Sequence, residues 1–419
     1  MDVKRVKIVE DYFKTKAFGM LRPAGQGFKY PYLDPGEQYL AQLWDWDSYF
    51  AAEALMSICE YFKKDGDFGY EDKRAAVTAA AKGCVLNFLD IQLPDGFIPI
   101  TVNPVMLEDG LWIKEHQSPG TVNQHKPFLC GSALNVSRYC NDYEWFDAEK
   151  MVKYLDYYKR NQWHERTGLY IFKSDYMIGI DNNPSVYGWP YGSTADIYLN
   201  SFMYKEFCAF AELLEKRKDP RAAHYRAEAE RLKAAVRREC YDPIDEFYYS
   251  VFIRLGENHK GIIHSGMPVF WNSLPVKLRH VSSFLPLYAG IATEEQTSRI
   301  IDKYYLSPEF LSPYGLRSAA ENERFYCLKG TSNPSNSLGP VWVIYNYFAF
   351  SFLLKAGRIR LARDLLDKIT AVLAADVEQS GKTDECYDPN TGKPIMGKSF
   401  VSWNALIIKM YGDMKKYSE

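Results

Sequence analysis

Gln42-Leu43-Trp44-Asp45-Trp46-Asp47-Ser48-Tyr49-Phe50 is the stretch on which the reading of this chain turns. Alternating tryptophan and aspartate suits a strand, but the continuation Ala51-Ala52-Glu53-Ala54-Leu55-Met56 favours a helix. On that helix Trp44, Asp47, Ser48 and Ala51 share one face, at i, i+3, i+4 and i+7. An indole beside a carboxylate suits a sugar ring. The apolar C–H face stacks on the indole, and vicinal hydroxyls donate to the carboxylate. The competing reading is a core helix in which Asp47 caps a neighbouring element.

Working outward, apolar periodicity predicts helices over about 4–18, 37–62, 71–91, 126–140, 144–161, 195–217, 219–240, 275–290, 293–304, 339–356, 358–378 and 400–416. Long loops fall at 19–36, 93–124, 168–194, 305–338 and 379–399, and 241–275 reads as short strands and turns. Helices paired by short turns, with long loops on alternate connections, fit an all-α (α/α)6 barrel. Its long loops gather on one rim and build a cleft. No Pro/Gly-rich linker splits the chain and no sequence repeat stands out, so residues 1–419 are expected to form a single catalytic domain. A two-domain all-α protein is the alternative.

Composition narrows the partners. Hydrophobic content is 47% and charged content 25%, normal for a water-soluble globular protein. A net charge of −2 gives no pull toward nucleic acid or an anionic membrane. With 32 Tyr, 24 Phe and 9 Trp, the chain can line a wide aromatic cleft as well as fill a core. Its cysteines (Cys59, Cys84, Cys130, Cys140, Cys208, Cys240, Cys327, Cys386) form no CxxC pair and have no histidine at zinc-ligand spacing. The N-terminus lacks an apolar leader and no apolar run reaches membrane-spanning length. A reducing, cytoplasmic setting is expected, with no metal or organic cofactor, no nucleic acid and no membrane partner.

Two loop carboxylates stand out. Asp181, in Gly179-Ile180-Asp181-Asn182-Asn183-Pro184-Ser185, follows the apolar stretch Tyr176–Ile180. Apolar neighbours raise a carboxyl pKa, which suits a general acid. The same sequence is also good Asx-turn chemistry. Glu385, in Thr383-Asp384-Glu385-Cys386-Tyr387-Asp388-Pro389-Asn390-Thr391-Gly392, can serve as a base that activates water, or it is an exposed loop acid with Asp384 and Asp388 competing for the role. Only a closed barrel brings two such distant loops together. Facing each other across a sugar at about 6.5–9.5 Å, they would form an inverting acid–base pair. Gln117 and Gln124, with Asn123, His125 and Lys126 nearby, are polar candidates for hydroxyl binding. Trp342 and Trp403 near helix starts, and Tyr30, Tyr32, Tyr187 and Trp189 on rim loops, are candidate aromatic contacts. Arg166, Arg317 and Lys329 are candidate partners for an anionic aglycone.

The ordered set Trp44-Asp45-Trp46-Asp47-Ser48, Gly179–Pro184, Gly339-Pro340-Val341-Trp342, and Glu385–Gly392 followed by Phe400-Val401-Ser402-Trp403 resembles glycoside hydrolase family 63 and its relatives, the trehalases. In length, and in Tyr30-Pro31-Tyr32-Leu33-Asp34-Pro35-Gly36 ahead of the WDWD stretch, the chain looks most like the compact mannosylglycerate and glucosylglycerate hydrolases. The resemblance implies an inverting exo-α-glycosidase on an (α/α)6 barrel. By that resemblance Asp181 takes the general-acid position and Glu385 the general-base position. Asp47, Trp44 and Trp46 fall where the terminal sugar binds. Gln124 matches a polar position and Trp342 a barrel tryptophan. The chain departs from the family at Ser337-Leu338-Gly339-Pro340, where relatives often carry Trp-Arg-Gly-Pro.

A small α-glucoside or α-mannoside, such as mannosylglycerate or glucosylglycerate, is the expected substrate. A trehalase-like or oligosaccharide α-glucosidase is the nearest alternative. A sugar epimerase would rely on histidines, and the seven here form no evident barrel motif. A non-catalytic sugar-binding barrel would hold Asp181 or Glu385 in structural bonds, away from the cleft.

Overall fold

A helix that is apolar on every face must be covered on every face; a helix with one apolar stripe needs covering only there. The chain alternates the two kinds. The computed structural model describes residues 2–36, 39–110, 113, 124–173, 180, 182–255, 271–329 and 335–417. In it α2 (Asp45–Tyr61), α6 (Ile197–Lys216), α8 (Leu285–Ala289), α10 (Val343–Lys355) and α12 (Leu406–Lys415) are buried over most of their length, and α4 (Leu129–Cys140) over half of it. Each packs on the next, and α12 returns to α2, closing a ring. Between them in sequence run α1 (Val3–Lys16), α3 (Tyr70–Asp90), α5 (Ala148–Gln162), α7 (Ala222–Glu239), α9 (Glu294–Ile300) and α11 (Ile359–Ser380). On the outside α3 covers α2 and α4, α7 covers α6, and α11 covers α10 and α12, with α1 against α11. The result is an (α/α)6 barrel.

Aromatic rings fill its axis. Trp46 lies 5.0 Å from Phe50, 5.5 Å from Phe128, 5.7 Å from Tyr198 and 6.0 Å from Trp403, so the first turn of α2 touches helices across the ring. Such pairs add about 0.5–1.5 kcal/mol each beyond the area they bury.

The connections are unequal, as the loop lengths predict. Turns from inner to outer helices are short, such as 217–221 and 356–358, whereas those from outer to inner helices are long. All inner helices therefore start at one end, where the long loops collect. After α5, α7 and α9 the chain makes small antiparallel ribbons: Trp163–His164 with Leu169–Tyr170, Tyr241–Asp242 with Phe247–Tyr248, and Leu311–Ser312 with Gly315–Leu316.

Several boundaries differ from the periodicity, three of them with a clear physical reason. The helix expected over 37–62 begins at Asp45, because Leu43 and Trp44 pair with Val102 and Thr101 as a short ladder. Trp44 is thus the extended residue before the helix rather than part of its face. The helix expected from 126 begins at Leu129, since the Lys126 N–H donates to Asp45 instead. The helix expected over 275–290 is replaced by the strand Leu274–Val276 and by helical turns from Val281 to Ala289.

The aromatic loop 19–36 is pinned along α3. The Asn87 side chain accepts the N–H groups of Lys29 and Tyr30 at 3.1 and 3.2 Å and donates to the Tyr30 carbonyl at 3.0 Å. Gly83 lets the loop approach: a Cβ there would meet the Pro31 carbonyl oxygen at 1.7 Å. In a free helix Gly→Ala stabilises by about 1 kcal/mol. Here the sign should reverse. Gly83→Ala is expected to cost about 1–3 kcal/mol or more in denaturant unfolding; a stabilised variant would contradict this packing.

The N-terminus of α4 is held by a buried acid. Glu206 accepts the N–H groups of Cys130 at 2.5 Å and Gly131 at 3.0 Å. Burial nevertheless pushes its pKa up to about 7, from 4.5. The folded value lies above the unfolded one, so the associated stability is full below pH 4.5 and is lost as pH rises through 7. The melting temperature of the wild type should fall relative to that of Glu206→Gln across this window; parallel curves would rule the titration out.

Candidate active site

Several parts of the chain meet at the loop end: Pro35 and Tyr39, the start of α2, Ile100, Lys126, and 385–403. They enclose a cleft of about 110 Å3. Trp44, Trp46 and Asp47 line it from the start of α2, with Lys126 beside them. Tyr39, Glu385, Phe400 and Trp403 also line it.

Each acid is held by its neighbours. Asp47, 9% exposed, accepts from the Ser402 hydroxyl at 3.2 Å. Glu385, 4% exposed, accepts from the Tyr39 hydroxyl at 3.4 Å on Oε2 and from the Ser335 hydroxyl at 3.3 Å on Oε1. The Asp384 carboxylate turns away from the cleft and fixes the loop. Its Oδ1 accepts the Glu385 N–H at 2.6 Å and its Oδ2 the Gly397 N–H, while burial raises its pKa. The Asp384 N–H donates to Asp376 at 2.9 Å, tying the loop to α11. Asp388 closes the following turn by accepting from Asn390 and Thr391. Of the three carboxylates in this loop, Glu385 is the one that lines the cleft.

Aromatic surface backs the acids. Trp403 lies 4.3 Å from Phe400 and 6.0 Å from Trp342, centroid to centroid. Its indole N–H is buried and has no hydrogen-bond partner among the described residues.

The other candidates from the sequence scatter. Gln124 is buried and accepts from the Gln162 amide, forming framework rather than cleft wall. Trp342 sits behind Trp403, its N–H donating to the Asn336 carbonyl at 3.0 Å. Tyr30 lies on α3, 37% exposed. Tyr187 and Trp189 are 57% and 38% exposed, outside the cleft wall. Arg317 is engaged by Glu321, Asn390 and the Pro308 carbonyl. Gln117 and Asp181 lie outside the described residues. Next to Asp181, Ile180 is buried, and Asn183 donates to Asp196 at 3.1 Å. Asp196 in turn caps α6 by accepting from Tyr198 and Leu199. His125 and His280 are buried and hydrogen-bonded, with burial driving their pKa values down to about 4 and about 3.

Tyr39 and Ile100 line the cleft without having been singled out from the sequence, and Pro35 and Phe400 entered only as parts of longer motifs. Position within Phe400-Val401-Ser402-Trp403 was the available signal for Phe400 and Ser402; nothing local marks Ile100.

Residues 41–403 match the family model described as the mannosylglycerate hydrolase MGH1-like glycoside hydrolase domain. The chain belongs to this family. It is a glycoside hydrolase. Over 188 residues, 42% of the chain, it is 26% identical to a probable mannosyl-oligosaccharide glucosidase from Schizosaccharomyces pombe, a match spanning 20% of that protein. Among solved structures it resembles the GH63 mannosylglycerate hydrolase from Thermus thermophilus in complex with glucose, with TM-score 0.66 and 17% identity over 98% of this chain and 99% of that one. It also resembles the neutral trehalase Nth1 from Saccharomyces cerevisiae, with TM-score 0.63 and 17% identity over 93% and 74% of the two chains. These likenesses show the barrel. Among the described residues, no group of three or more His, Cys, Asp or Glu is placed to hold a metal ion, and no helix is long and apolar enough to cross a membrane.

Proposed function

We propose that this glycoside hydrolase is an inverting exo-α-glycosidase acting on a small α-glucoside or α-mannoside, such as glucosylglycerate or mannosylglycerate. The observation that carries the reading is the convergence of Glu385 and Asp47 on one small, aromatic-walled cleft at the loop end of the barrel. A narrow pocket suits one terminal sugar. The plates of Trp44, Trp46 and Trp403 match its apolar faces, and Asp47 accepts from its hydroxyls. In this reading Asp181 protonates the leaving oxygen and Glu385 takes the proton of the attacking water. The Tyr39 and Ser335 hydroxyls both donate to Glu385 on the cleft wall, which fixes the position of its side chain. We propose further that residues 1–419 work as a single catalytic domain. The Thermus thermophilus relative was solved in complex with glucose, which supports a monosaccharide-sized site.

The test is a panel of α-mannosylglycerate, α-glucosylglycerate, trehalose, nigerose, kojibiose and maltose, assayed for released glucose or mannose. At least one member should be cleaved by the wild type. Asp181→Asn should abolish turnover while leaving binding; unchanged turnover would remove Asp181 from its role.

A further inference from the structure

The cleft contains a cation that the acid–base scheme leaves without a task. Lys126 forms part of the wall beside Trp44 and Asp47, and 1% of its side chain is exposed. The segment carrying it is locked from two sides. From α2, Asp45 Oδ2 accepts the Lys126 N–H at 2.6 Å, and Asp45 Oδ1 meets the Lys126 ammonium at 2.7 Å. From α5, Tyr154 donates to the Lys126 carbonyl at 2.7 Å and Tyr158 to the His125 carbonyl at 2.6 Å. His125 is kept neutral by burial, so Lys126 supplies the cation of this segment.

A lysine ammonium has three N–H donors, and the contact with Asp45 uses one. An ion pair this deeply buried contributes little stability over an apolar pair of the same size. Spare donors on a cleft wall are instead suited to a ligand oxygen. Asp45 does not line the cleft, but the Lys126 it holds and the acceptor Asp47 both do. Asp47 takes a hydrogen bond; Lys126 gives one. Two adjacent sugar hydroxyls need that combination when one donates and its neighbour accepts.

We propose that Lys126 is a specificity-determining residue, held by Asp45 so that its ammonium donates to a ring hydroxyl of the sugar in the cleft, adjacent to the hydroxyl that donates to Asp47. This rests on the sugar-binding reading above. A sugar lacking the contacted hydroxyl would leave a buried ammonium donor unsatisfied, which costs more than a missing neutral contact.

The test is a tryptophan-fluorescence titration, since three indoles line the cleft. Probes are glucose, mannose and their monodeoxy analogues. The proteins are the wild type and the double variant Asp45→Asn/Lys126→Met, which removes both charges and leaves neither unpaired. The wild type should bind one monodeoxy analogue about tenfold or more weaker than its parent sugar. The double variant should bind the parent weaker by a similar factor and no longer distinguish that analogue. A wild type that binds every monodeoxy analogue as well as the parent overturns the proposal without any variant. So does a double variant with the wild-type deoxy profile; sugar binding in both proteins would then leave the glycosidase reading standing. Failure of glucose and mannose alike to bind the wild type would overturn both readings together.

Discussion

Glu385→Gln is expected to lower kcat on a cleaved α-glycoside by about 10^2–10^4-fold, with KM nearly unchanged. Glutamine has the shape of glutamate and can still accept from Ser335, but it cannot take a proton from water. In the proposed reading, binding rests on the indole plates and Asp47, which the change does not touch. The loss should therefore fall on kcat, because an interaction used only in the transition state has been removed. Steady-state kinetics with substrate near and well above KM would separate the two terms. Asp384→Asn makes a useful contrast: Asp384 supports the loop through Gly397 and the Glu385 N–H, so its loss should appear in thermal stability as well as rate. A Glu385→Gln enzyme retaining more than a tenth of wild-type kcat would remove Glu385 as the base.

Asp45→Ala is expected to destabilise the fold by about 3–5 kcal/mol, as breaking a buried ion pair leaves a buried charge uncompensated. Asp45 is 1% exposed and bonds the Lys126 ammonium, the Lys126 N–H and, at 2.5 Å, the Trp46 N–H. The His125 ring also lies 4.0 Å from Asp45, an ion-pair distance, but burial lowers the His125 pKa to about 4 and keeps it uncharged near neutrality. It cannot replace the lost partner of Lys126. Urea unfolding should show the loss, and adding Lys126→Met should recover much of it by removing the orphaned cation. A loss below about 1 kcal/mol for Asp45→Ala would mean that Lys126 reaches solvent or another acceptor.

The barrel was legible because its connections differ in length. Short turns such as 217–221 and 356–358 alternate with long loops, so consecutive helices could be paired from spacing alone, whereas which helix of each pair lies inside became plain only from burial, as in the all-round buried Val343–Lys355. Helix starts were less legible, because the residues before them spend their N–H groups on long-range partners. Lys126 bonds Asp45, and Trp44 belongs to a ladder with Thr101. No periodicity reports such pairings. The small ribbons after α5, α7 and α9 recur in structure without a matching sequence repeat, since a two-residue ladder asks little of its side chains. In the site, Trp44, Trp46, Asp47 and Glu385 were found from local motifs and reach one cleft. Gln124 and Lys126 were named together from the same segment, yet only Lys126 reaches the wall. What turns Gln124 aside is Gln162 on α5, a contact no local reading contains. Trp189 and Tyr187 were read from a rim loop, where exposure and sugar contact look alike in sequence.

The central claim, inverting hydrolysis of a small α-glycoside in this cleft, meets its most direct test in proton NMR of the anomeric region during the first minutes of cleavage of the α-glycoside panel. The account predicts that the first sugar released is the β-anomer, with the α-anomer growing in later by mutarotation. Early α-anomer would mean retention of configuration and would contradict the roles given to Asp181 and Glu385.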